Sequence, residues 1–121
     1  VIIGTGVDMI EIARIAAAAQ NPRFRERVYT PRELAESGAA GHRLAGFFAA
    51  KEALLKAMGT GLSSFSWREM EIGHDALGAP RFAVNGKIQD FLAAKGVARI
   101  HLSISHSREY AIAQVVLEEG G

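Results

Sequence analysis

A chain of 121 residues, 49% hydrophobic and 22% charged, has enough apolar content for one core and suits a single domain over residues 1–121. Its formal net charge of +1 supplies no global field for nucleic acid or an anionic membrane, and the absence of cysteine removes disulfide scaffolds and thiolate chemistry. No run approaches the roughly 20 apolar residues of a membrane-spanning helix, and the N-terminus lacks a basic leader. A soluble, cytoplasmic protein without nucleic-acid or membrane partners is expected.

VIIGTGVDMI opens the chain with β-branched residues around Gly4 and Gly6, which predicts a strand with Asp8 towards its end. The alanine run of IEIARIAAAAQ favours helix. NPRFRERVY is a short basic-aromatic segment whose Asn21 and Pro22 suit a helix start. In TPRELAES, Thr30 is a cap, Pro31 takes the first helical position and Glu33 follows three residues after the cap, which is the pattern of a capping box. HRLAGFFAAKEALLKAMG is the longest helical pattern, closed by Gly59 and Gly61. WREMEIGHDALGAPRFAV predicts two strands about a Gly-Ala-Pro turn, and GKIQDFLAAKG an amphipathic helix ended by Gly96. ARIHLSIS and YAIAQVVLE complete a terminal antiparallel hairpin. Strands at both ends with helices between them give an α+β fold, an antiparallel sheet packed against a long central helix.

The central helix carries Lys51, Glu52 and Lys56 among phenylalanines, leucines and alanines. At about 100° per residue, Glu52 and Lys56 share a face with Ala45 and Ala49, and the apolar stripe of Leu44, Phe48, Leu55 and Met58 borders it. The plain account is an intrahelical Glu52–Lys56 pair, worth about 0.2–0.5 kcal/mol. Asp8 asks for more, because a carboxylate in a glycine-flanked apolar strand needs a partner unless it caps the following helix. One Asp and one Glu from distant segments, completed by substrate oxygens and water, suit Mg²⁺, and a nearby lysine would balance phosphate charge.

Three blocks, GTGVDMIEIARI, FFAAKEALLKA and HLSISHSREYAIA, together resemble the holo-acyl-carrier-protein synthases, the small stand-alone branch of the 4′-phosphopantetheinyl transferases. The resemblance implies transfer of the phosphopantetheine arm of coenzyme A to a serine of apo acyl carrier protein in fatty acid biosynthesis, releasing adenosine 3′,5′-bisphosphate. It implies Asp8 and Glu52 as ligands of a divalent metal, usually Mg²⁺, and Lys56 as the cation beside the pyrophosphate. Either Glu52 or a water on the metal would accept the serine proton. For coenzyme A it adds Gly59, Pro80, Arg81, Ser105 and His106, the last two reaching the nucleotide end, with Lys51 a further candidate. His74 and His101 are left as structural or surface residues. For the acidic carrier protein it implies docking by Arg14, Arg23, Phe24 and Arg27; a solvated basic helix with Phe24 in the core would explain the same segment. It also implies a homotrimer with active sites between subunits.

One departure stands out: many relatives have arginine immediately before the F/W-A-A-K-E block, where this chain has Phe47, so Arg43 or Lys51 is expected to compensate. A Ser-His nucleophile in SISHSRE lacks a partnered acid. A noncatalytic basic docking module would explain the arginines but not Asp8 with Glu52 and Lys56, and a degenerate structural transferase has only Phe47 in its favour.

Overall fold

The computed structural model describes residues 1–121. The elements run β1 (Ile2–Glu11), α1 (Ile12–Ala18), α2 (Pro22–Val28), α3 (Pro31–Ser37), α4 (Gly41–Met58), β2 (Met70–His74), β3 (Pro80–Val84), α5 (Gly86–Ala94), β4 (Val97–His106) and β5 (Tyr110–Glu119), with a 3-10 turn over Trp67–Glu69 before β2. The α+β expectation holds, with one refinement. The strands form two antiparallel sheets, a three-stranded β1-β5-β4 and a two-stranded β2-β3. The first three residues of the WREMEIGH block belong to the 3-10 turn, which is fixed by Ser66 and Glu69 capping each other.

Alternation along β5 decides where the core lies. Ala111, Ala113, Val115 and Leu117 point inward and are buried against α4, whereas Ile112 on the opposite face is exposed. Val7 and Met9 lie beside Gln114 and Ile112 on that outer face, and Met9 is 62% exposed.

The closest packing joins β1 to α4. A Cβ on Gly4 would lie 2.1 Å from the Ala57 carbonyl oxygen, and one on Gly6 would lie 2.0 Å from that of Ala53. Glycine is therefore required at both positions, because the strand backbone rests directly on the helix backbone. Ala49, Ala53 and Ala57 are the matching small residues. Two strand residues advance about 6.7 Å and four helix residues about 6 Å, so the two repeats stay in step. Asp8, the next inward position of β1, is carried along this seam towards the level of Ala49 and Glu52.

The capping box forms as the sequence predicts. Thr30 Oγ1 accepts from Glu33 N at 3.2 Å, and Glu33 Oε1 accepts from Thr30 N at 2.9 Å. The same carboxylate receives Lys51 Nζ at 2.7 Å and Ile72 N at 2.8 Å. Lys51 also donates to the Val28 carbonyl at 2.6 Å, and both side chains of the ion pair are fully buried. One pair thus ties together the end of α2, the start of α3, the middle of α4 and β2. Burial pulls the Lys51 ammonium below its ordinary range while the Glu33 charge opposes the shift.

Candidate active site

Asp8 lies in mid-strand opposite Ala113, and α1 begins after Glu11. Asp8 therefore does not cap that helix. Its side chain is 15% exposed, and its Oδ1 accepts from Lys56 Nζ at 3.1 Å. Lys56 also donates to the Val7 carbonyl at 3.1 Å. The ammonium turns across to β1 instead of forming the intrahelical hydrogen bond with Glu52. Asp8 Oδ2 is buried and has no partner.

Glu52 completes the cluster. Desolvation is the main cause that raises its pKa and the Asp8 charge adds to it, while Lys56 and Arg14 act in the opposite sense. Two carboxylates face each other's charge at the edge of the core with one oxygen unsatisfied. A small, hard divalent cation fits this donor set, because it would occupy the orphaned oxygen and neutralise the repulsion. No third Asp, Glu or His joins them to make a closed protein cage. The incomplete shell leaves room for ligand oxygens.

Arg14 is exposed and its charge reaches Glu52, which puts the first of the expected docking residues beside the carboxylates. Arg23 and Arg27 are exposed on α2. Phe24 is half-buried, its ring packing against Tyr29 and Phe48 with centroids 6.1 and 6.2 Å away. Gly59 adopts φ +76° as the C-cap of α4, so its conformational role in ending the helix is explicit.

Lys51 must be corrected. Its position, about 100° from Glu52, carries it into the core, where Glu33 and Val28 occupy its ammonium. It cannot hold a phosphate of coenzyme A, nor can it compensate for Phe47. The spacing within α4 could not reveal this, since the partner comes from the α3 capping box.

A second cluster surrounds a cavity of about 610 Å³ between the start of α4, β2, the β2–β3 turn and the end of β4. His106, Pro80 and Gly78 line it with Phe47, Arg43, His42, His74 and Glu36, whereas Asp8, Glu52 and Lys56 do not. Arg43, the other proposed compensating cation, is therefore in the cavity wall. Arg81 is exposed next to Pro80 without lining the cavity, and Ser105 pairs with Ile112 on the outer sheet face. Strand alternation puts Ser105 and His106 on opposite faces of β4. The residues missed in the sequence are His42, Glu36 and His74; nothing in their spacing marks three separate elements as neighbours.

The α+β fold that brings these carboxylates together is that of a known family of transferases. Residues 4–115 match the model of the 4′-phosphopantetheinyl transferase superfamily, and the chain belongs to that family. It is 43% identical over 117 residues to the holo-[acyl-carrier-protein] synthase of Alkaliphilus metalliredigens (strain QYMF), covering 93% of this chain and 96% of that protein. The crystal structure of the Neisseria meningitidis synthase superposes with a TM-score of 0.90 at 38% identity, over 98% of this chain and 100% of the other. The Bacillus anthracis str. Ames synthase in complex with CoA (3′,5′-ADP) gives a TM-score of 0.82 at 37% identity, over 98% of each chain.

Proposed function

We infer that this protein transfers the 4′-phosphopantetheine arm of coenzyme A to a serine hydroxyl of apo acyl carrier protein, giving holo carrier protein and adenosine 3′,5′-bisphosphate in fatty acid biosynthesis. The observation that carries the reading is the meeting of Asp8, Glu52 and Lys56 across the glycine-alanine seam, in a chain whose family transfers this group. No helix is long and apolar enough to cross a membrane, and we assign the reaction to the cytoplasm.

Asp8 and Glu52 would hold Mg²⁺, which when bound supplies Lewis-acid charge and a template for the pyrophosphate oxygens. The serine oxygen forms a bond to the phosphorus bearing the pantetheine arm, and the bond from that phosphorus to the oxygen bridging to the nucleotide phosphate breaks. Glu52 is the residue of this cluster that would accept the serine proton, unless a water beside the metal takes it. Lys56 is half exposed and carries charge to stabilise the departing phosphate. Arg14, whose charge reaches Glu52, and the exposed Arg23 and Arg27 of α2 would present cations to the acidic carrier protein.

The cavity at Pro80 and His106 is separate from the carboxylates within one chain, so a coenzyme A molecule would join the phosphate half of one subunit to the nucleotide half of another. The exposed Val7, Met9, Tyr110 and Ile112 provide an apolar sheet face for that assembly, and we assign a homotrimer. Incubating the protein with apo acyl carrier protein and coenzyme A, with Mg²⁺ or with chelator, tests the function by intact-mass spectrometry. A metal-dependent gain of the phosphopantetheine mass supports it. No gain from folded protein with several carrier proteins and metals would refute it.

A further inference from the structure

Lys56 is held more firmly than a cation that only awaits a phosphate needs to be. It follows Glu52 by one turn on α4 and lies between Ala53 and Ala57, whose carbonyls meet Gly6 and Gly4. Long side chains on a helix run back towards its N-terminus, and this one crosses the seam to β1. There its Nζ donates to Asp8 Oδ1 at 3.1 Å and to the Val7 carbonyl at 3.1 Å. β1 is an edge of the three-stranded sheet, where main-chain oxygens are open to side chains. The two acceptors belong to consecutive residues, and the main-chain oxygen cannot rotate. The ammonium is therefore fixed relative to β1, and it restrains the torsion of the Asp8 carboxylate in turn. It keeps a further donor for a phosphate oxygen.

The two oxygens of Asp8 are thereby made unlike. Oδ1 carries the lysine, while Oδ2 is buried and has no partner. We propose that Lys56 is a positioning residue for Asp8: by occupying Oδ1 it leaves Asp8 a single oxygen for a divalent cation, and so makes the site select Mg²⁺ over Ca²⁺. This inference rests on Asp8 and Glu52 being the metal ligands. Mg²⁺ demands a near-ideal octahedron at about 2.0–2.1 Å, which carboxylates giving one oxygen each can serve, whereas Ca²⁺ takes roughly six to eight oxygens and readily accepts both from one carboxylate. A cation chelated by both Asp8 oxygens would lie against the oxygen that holds the ammonium, and the two positive charges would repel. Binding through Oδ2 alone keeps the carboxylate between them. The restriction falls on Ca²⁺, which loses a ligand, and spares Mg²⁺, which needs only one oxygen from each residue. A lysine acting through charge alone would weaken both dications alike, so the ratio of their affinities isolates the positioning role.

Electron paramagnetic resonance of Mn²⁺ on the intact protein with saturating coenzyme A, displaced in parallel by Mg²⁺ and by Ca²⁺, gives that ratio without recourse to turnover. Lys56→Met removes the ammonium and keeps most of the stem. The side chain is 54% exposed, so the fold should survive, as circular dichroism would verify. The Mg²⁺-to-Ca²⁺ affinity ratio should fall about fivefold in this variant, the scale of one partly exposed charge contact. Lys56→Arg keeps a charged donor beside the strand and should restore most of the ratio. An unchanged ratio in folded Lys56→Met overturns the inference alone, even where both affinities shift together. Loss of all Mn²⁺ binding from that folded variant also overturns it, because the ammonium would then govern binding and not selectivity. Wild-type protein that binds no Mn²⁺ with coenzyme A present overturns both the inference and the metal site beneath it.

Discussion

Replacing Gly6 with alanine tests how the fold makes the site. The added Cβ would stand 2.0 Å from the Ala53 carbonyl oxygen and 2.7 Å from the Ala57 nitrogen, and contacts under 3.0 Å are not tolerated. Strand and helix must therefore part by about 1 Å, the difference between the 2.0 Å contact and the 3.0 Å limit. Both obstructing atoms are backbone, so a rotamer change cannot relieve the overlap. Overpacking of this kind costs about 2–3 kcal/mol, equivalent to a fall in Tm of roughly 10 °C for a domain of this size. The same separation moves Asp8 away from Glu52 and Lys56. A displacement of about 1 Å can cost on the order of 10²-fold in rate. Differential scanning calorimetry and carrier-protein modification assays read the two effects separately. Near-normal Tm with near-normal turnover would refute the claim that direct strand-helix contact positions the carboxylates.

Lys51→Met leaves the Glu33 carboxylate buried without its cation and should cost about 3–5 kcal/mol in urea denaturation, whereas Lys51→Met with Glu33→Gln should recover part of that loss. Glu52 has a folded-state pKa above its unfolded value, so the folded protein binds its proton more tightly. Its favourable contribution is present below the ordinary carboxylate range and is lost as pH rises through that range to the elevated folded value. Glu52→Gln should therefore raise the Tm of metal-free protein near neutrality, with the advantage disappearing in acid, while turnover with metal falls sharply; an equal Tm difference at both pH values would contradict the desolvation argument. Arg14→Glu should raise the KM for carrier protein far more than that for coenzyme A, and its proximity to Glu52 should also shift the pH profile of kcat. Equal changes in the two KM values would refute a docking role. Arg23→Glu should affect carrier-protein KM without the profile shift, as measured by initial rates.

The sequence made the periodic and capped elements legible. The Thr30-Glu33 capping box, the α4 stop at Gly59 and the terminal hairpin all follow from local chemistry. The small residues at 4, 6, 49, 53 and 57 were equally visible, but their meaning required the contact between strand and helix. Lys51 was misread because helix geometry gives its direction around α4 without revealing that Glu33 waits there. Local spacing favoured Glu52 as the partner of Lys56, whereas its ammonium reaches Asp8 across the strand-helix seam. The histidine-lined cavity was less legible still. His42, His74 and His106 are separated by long stretches of chain and converge only when the β2–β3 hairpin settles beside β4 and the start of α4.

The most direct measurement is metal binding at the carboxylate pair. Electron paramagnetic resonance of Mn²⁺ with coenzyme A present, followed by Mg²⁺ competition, should show protein-dependent binding that Mg²⁺ displaces. Asp8→Asn and Glu52→Gln should each lose that binding while retaining the wild-type circular dichroism spectrum. Unchanged Mn²⁺ affinity in both folded variants would contradict the assignment of Asp8 and Glu52 as the metal site.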